Sequence, residues 1–131
     1  VSIMEKRQVY SSETRQGGYE RGFLTVRVME PQTVDRTLSQ SKKPVFVAFL
    51  KRNERFAKQI GIVSEMAMIH RNRVQCFLYD SDYLDTAQDQ FSVKGTPTFV
   101  LFDKGREVDR LIGESDGETL DDFIMAVASN A

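Results

Sequence analysis

Six consecutive apolar residues, "VFVAFL" at 45–50, constrain this chain more than any other stretch. Pro44 precedes them and the basic pair Lys51-Arg52 follows, so the run is too short for a helix. A strand with no polar residue on either side has no face for water and belongs inside a sheet covered on both faces. A second stretch, "VQCFLY" at 74–79, apolar but for Gln75, reads as another central strand. Two such strands separated by a helical stretch require parallel crossovers, which places the chain among α/β proteins.

The remaining elements fit around that pair. "FLTVRV" at 23–28 alternates and is rich in β-formers, so a first strand is expected there. Pro31 opens "QTVDRTLSQS", a short helix with Val34 and Leu38 on one face. After 45–50, Phe56, Ile60, Val63 and Ala67 recur at helical spacing, with Ile62, Met66 and Ile69 widening the stripe. "DSDYLDTAQDQF" gives an acidic loop and a helix ending near Phe91. "TFVLF" at 98–102 and "EVDRLIG" at 107–113 flank Asp103-Lys104-Gly105, a hairpin signal. A last helix is expected to start near Ser115, with Ser115 and Glu118 at capping-box spacing and Leu120, Phe123, Ile124 and Val127 inward. The order is β-α-β-α-β-α-β-β-α. Residues 1–22 are polar and aperiodic and are expected to form a flexible lead-in to one domain, 23–131.

Composition narrows the function classes. One cysteine, Cys76, among 131 residues allows no internal disulfide, and one Cys with one His argues against structural zinc. A net charge of −1 gives no support for nucleic-acid binding. No apolar run approaches the roughly 20 residues that span a bilayer. The scarcity of cysteine favours a reducing, cytoplasmic setting. Lys51, Arg52, Arg55 and Lys58 outnumber Glu54 locally, and Asp80, Asp82, Asp85 and Asp89 form an acidic stretch; both read as solvated faces.

The element order and the segment "YDSDYLDTAQDQFSVKGTPTFVLFDKG" at 79–105 resemble the thioredoxin superfamily, as does the strand "VFVAFL". The resemblance covers about 23–128. It implies the thioredoxin fold: a central mixed sheet, parallel strands plus a C-terminal antiparallel hairpin, flanked by helices. It also implies that "GTPT", Gly95 to Thr98, is the family's cis-proline loop, and Gly113 matches as well. There the bond before Pro97 would be cis, and the Thr96 backbone would pair with an extended substrate peptide.

The chemistry of the family is missing at its usual place. Aligned from the long helix backwards, Asn53 and Phe56 occupy the two cysteine positions. Aligned from the strand forwards, Glu54 and Ala57 occupy them. The aromatic residue expected before the motif is replaced by Arg52 or Asn53, and Ala48 stands at the position of the family's buried aspartate. Disulfide exchange needs an attacking thiolate and, for turnover, a resolving thiol. Neither register supplies one.

Structural roles are available for the replacements. Asn53 is suited to N-cap the long helix and Glu54 to favour its dipole. Lys51, Arg52 and Arg55 at a helix start are also an arrangement that holds anions, which Glu54 opposes. Cys76 lies in an apolar strand and reads as an inert buried thiol. His70 falls at the end of the long helix with no evident metal or nucleophile partner.

The leading expectation is a redox-inactive module, an adaptor or chaperone-like subunit, binding a protein or peptide through Arg52, Asn53, Glu54, Arg55, Phe56, Thr96 and Pro97. It calls for no cofactor and no metal. One alternative is a divergent oxidoreductase using Cys76 as a lone thiol, with glutathione as co-substrate. Another is a structural domain that docks within a longer polypeptide or forms a homodimer.

Overall fold

A computed structural model of the chain describes residues 26–128. The expected lead-in at 1–22 lies outside the described residues, as do the first three residues of the expected first strand. Five strands form one sheet: β1 (Arg27–Met29), β2 (Val45–Phe49), β3 (Gln75–Tyr79), β4 (Thr98–Asp103) and β5 (Arg106–Ile112). Four helices connect or follow them: α1 (Val34–Gln40), α2 (Phe56–Ile69), α3 (Leu84–Phe91) and α4 (Gly117–Ala128). Short 3₁₀ turns, Pro31–Thr33 and Ser81–Tyr83, lead into α1 and α3.

The strand order is β1-β3-β2-β4-β5. β3 pairs in parallel with β1 and β2, while β4 runs antiparallel to both β2 and β5. This is the mixed sheet with a closing hairpin that the resemblance implies. In the hairpin, Lys104 and Gly105 carry φ of 55° and 83°. Two positive values in a two-residue loop match the right-handed twist of the flanking strands, and a glycine takes the second without a steric penalty.

Alternation along the central strands divides the core in two. Phe46, Ala48 and Leu50 join Cys76, Leu78, Phe99 and Leu101 beneath α2 and α4. Val45, Val47 and Phe49 join Phe77, Tyr79, Val100 and Phe102 beneath α1 and α3. Every residue of 45–50 is buried, so the run that opened the sequence reading is covered on both faces. On the second face Phe49 packs against Tyr79 and Phe91 with centroids 5.0 and 5.6 Å apart.

Element ends differ from expectation in physically interpretable ways. β1 extends to Met29, buried on the α1 side, instead of ending at Val28. α4 begins at Gly117, and Asp116, not Ser115, caps it: Thr119 N–H donates to Asp116 Oδ1 at 2.8 Å. Ser115 Oγ instead donates to the Gly113 carbonyl. On α2, Ile69 is 56% exposed and does not widen the buried stripe; the polar Gln59 and Ser64 are buried instead.

Candidate functional site

The chain leaves the sheet at the C-terminal end of β2. Leu50 is still buried, and Lys51 through Arg55 are exposed. Asn53 organises this passage. Its Oδ1 accepts from Arg55 N–H at 3.0 Å, and its carbonyl accepts from Phe56 N–H at 3.0 Å. Asn53 therefore closes a turn ahead of the helix, and Arg55 holds the N-cap position without a side-chain hydrogen bond. This corrects the expected cap, because the helix starts later than the sequence signal. Glu54 precedes the helix too, so the first turn of α2 has no acidic residue.

The facing wall is the loop between α3 and β4. The Thr96–Pro97 peptide bond is cis. Thr98 Oγ1 donates to the Gly95 carbonyl at 2.7 Å, and Gly113 N–H donates to the Pro97 carbonyl at 2.9 Å. These two bonds fix the loop at both flanks. Gly113 has φ of 107°, a region that L side chains rarely adopt, so the turn that follows β5 favours glycine there. The backbone of Thr96 forms no hydrogen bond among the described residues.

Between these walls lies a small cleft of about 60 Å³, lined by Leu50, Lys51, Asn53, Arg55, Phe56, Gln59, Thr96, Pro97 and Glu114. Five of the seven residues expected at a binding surface meet here: Asn53, Arg55, Phe56, Thr96 and Pro97. Arg52 and Glu54 lie outside the lining. Arg52 instead sits over the Phe56 ring, 6.0 Å from its centroid, a cation–π arrangement. The cleft also distinguishes the two alignment registers. Asn53 and Phe56 line it, whereas Glu54 and Ala57 do not, so the register read back from the helix is the one that faces the proline loop.

The chemistry of the lining is that of contact and hydrogen bonding. Phe56, half-buried, packs its ring against the apolar core beneath α2 and α4. Arg55 forms an ion pair with Glu114, which commits its guanidinium and weakens the case for an anion at the helix start. Gln59 is 3% exposed, and its Oε1 has no hydrogen-bond partner. Neither Gln59 nor Glu114 was singled out from sequence. A glutamine on the apolar stripe, three residues after Phe56 and four before Val63, was the visible signal.

Cys76 is elsewhere. It pairs with Phe46 at the N-terminal end of β3, whereas the cleft lies beyond the C-terminal end of β2. It is 6% exposed, and burial pushes its thiol up to about 12. A second cavity, about 280 Å³, borders Cys76 together with Arg27, Lys43, Arg71 and Val74. Lys43 Nζ donates there to the Arg71 carbonyl at 3.4 Å, near the carbonyl end of α2. His70, at that same helix end, is 2% exposed and donates from Nε2 to Asp121 Oδ1 at 2.7 Å. No group of three or more metal-ligating side chains gathers among the described residues. No described helix is long and apolar enough to cross a membrane.

A five-stranded mixed sheet between two helical layers, with a Thr-Pro loop facing the start of the second helix, defines a thioredoxin-fold protein. The thioredoxin family model matches residues 25–126, and the chain belongs to that family. Among solved structures, a mutant thioredoxin from Halobacterium salinarum NRC-1 is similar, with a TM-score of 0.67. The match covers 77% of this chain and 88% of that one at 23% identity, a likeness of fold. No curated protein matches the sequence.

Proposed function

We propose that this thioredoxin-family chain is redox-inactive and binds a protein or peptide, as an adaptor or chaperone-like module, through the cleft between Lys51–Phe56 and the Thr96–Pro97 loop. The observation that carries the reading is the composition of that cleft. Its proline wall is complete, with an unpaired Thr96 backbone, while Asn53 and Phe56 stand opposite where exchange chemistry would need thiols. A wall with free main-chain donors and acceptors suits an extended peptide, because added strands are held by main-chain hydrogen bonds. Thiol chemistry has no comparable support, since Cys76 is buried, lies at the other end of the sheet and is protonated at neutral pH.

Two measurements test this together. In an insulin disulfide-reduction assay the protein should add nothing to the rate given by dithiothreitol alone. In selection from a phage-displayed dodecapeptide library, enriched peptides should lose at least about tenfold in affinity for a Phe56→Asp variant, through desolvation of a charge at the contact. Stimulated insulin reduction, or enriched peptides indifferent to Phe56→Asp and Pro97→Ala, overturns the reading.

A further inference from the structure

We propose that Gln59 is a further binding residue of this cleft, an acceptor for the peptide backbone: its side-chain carbonyl receives a main-chain N–H from an extended peptide lying along Thr96. The inference rests on the peptide-binding reading above and goes beyond it by naming the recognising atom and the group it recognises.

Gln59 is 3% exposed, lines the cleft, and carries a buried Oε1 with no hydrogen-bond partner. Among the other lining residues Leu50, Phe56 and Pro97 are apolar, and none of the donor-bearing Lys51, Asn53, Arg55 and Thr96 bonds this oxygen. A buried acceptor left unpaired destabilises a fold, whereas an apolar side chain of the same shape would fill the space without that cost. The position therefore gains from an incoming donor. Across the cleft the Thr96 backbone is unpaired among the described residues.

The volume selects the class of occupant. About 60 Å³ is far below the several hundred Å³ of sites that enclose drug-sized molecules. A slim group that brings an N–H, such as a peptide main chain, fits the space and the unpaired atoms together. An extended chain presents N–H and C=O alternately to opposite sides, so one strand can pair with Thr96 and still direct a donor to Gln59.

The test uses acetyl-pentaalanine amide and single-ester counterparts in which each internal peptide N–H is replaced in turn by oxygen. Binding is followed by chemical shifts of the Thr96 amide and the Gln59 side-chain amide in the full chain. One ester position should weaken binding to the wild type by about tenfold. In Gln59→Met that penalty should vanish, while Thr96 still responds and the melting temperature is unchanged or higher. A purely structural glutamine would give the opposite pattern, with stability lost and the ester penalties untouched. Persistence of every ester penalty in Gln59→Met overturns the role of Gln59 but leaves the cleft a peptide site. Absence of any response at Thr96 in the wild type overturns both.

Discussion

Cys76 shows how one residue's surroundings shift its ionisation. It is packed into the core beneath α2 and α4 with an exposure of 6%, so the charged thiolate loses its hydration and the thiol is pushed up to about 12. Thiolate, not thiol, attacks disulfides and labelling reagents. At pH 8 roughly one thiol in ten thousand would be ionised, so native protein should react with an aromatic disulfide reagent at least about 100-fold more slowly than unfolded protein. Comparable rates in the two states would show that Cys76 is accessible and activated. That this cysteine is buried was legible in the sequence, because a cysteine inside a mostly apolar strand is a core residue. Gln59 was less legible. A single polar residue on an apolar stripe does not say whether it is satisfied, and its unpartnered Oε1 at the cleft emerges only in the folded chain.

At the scale of elements, β2 was readable because burial on both faces leaves no polar residue to interrupt it, and β3 because only Gln75, at its start, breaks an otherwise apolar run. Their ends were harder, because caps depend on local geometry that competing polar residues share. Asn53 and Ser115 both carried cap signals, and both lie ahead of the residue that holds the cap. Asp116 does the capping of α4, and its hydrogen bonds from Thr119 hold its carboxyl below the usual value of 3.8. The sign follows from that depression. A carboxylate favoured in the folded state stabilises above its unfolded pKa, and the contribution fades as pH falls through the lower folded value. Asp116→Ala should therefore lower the melting temperature near pH 6, with the gap narrowing below pH 3.8, whereas Ser115→Ala should change it little at either pH. Thermal unfolding of the two variants from acid to neutral pH checks both statements; a gap that widens in acid would contradict the capping role.

Across the whole molecule, α2 joins two ends with different tasks. Its first turn borders the cleft, and its fourteen residues carry the chain about 20 Å away. There His70, 2% exposed, meets Asp121 on α4. Both helices cover the same face of the sheet, and this bond ties them at the end remote from the cleft. Nε2–H donates to the carboxylate, which leaves Nδ1 as the imidazole's buried, unpartnered atom. Removing the acceptor in Asp121→Ala would leave a second buried nitrogen unpaired, at a cost of about 1–3 kcal/mol. Asp121→Asn keeps an oxygen in place and should recover most of that loss. Sequence placed His70 correctly at the helix end but could not name Asp121, fifty-one residues away, because that pairing exists only once both helices lie on the sheet. The distance along α2 makes the decisive comparison available. In urea unfolding Asp121→Ala should lose stability with an unchanged m-value, while its Thr96 amide responds to acetyl-pentaalanine amide as in the wild type. A weakened peptide response at equal folded fraction would mean that the cleft and the far end of α2 are coupled rather than independent.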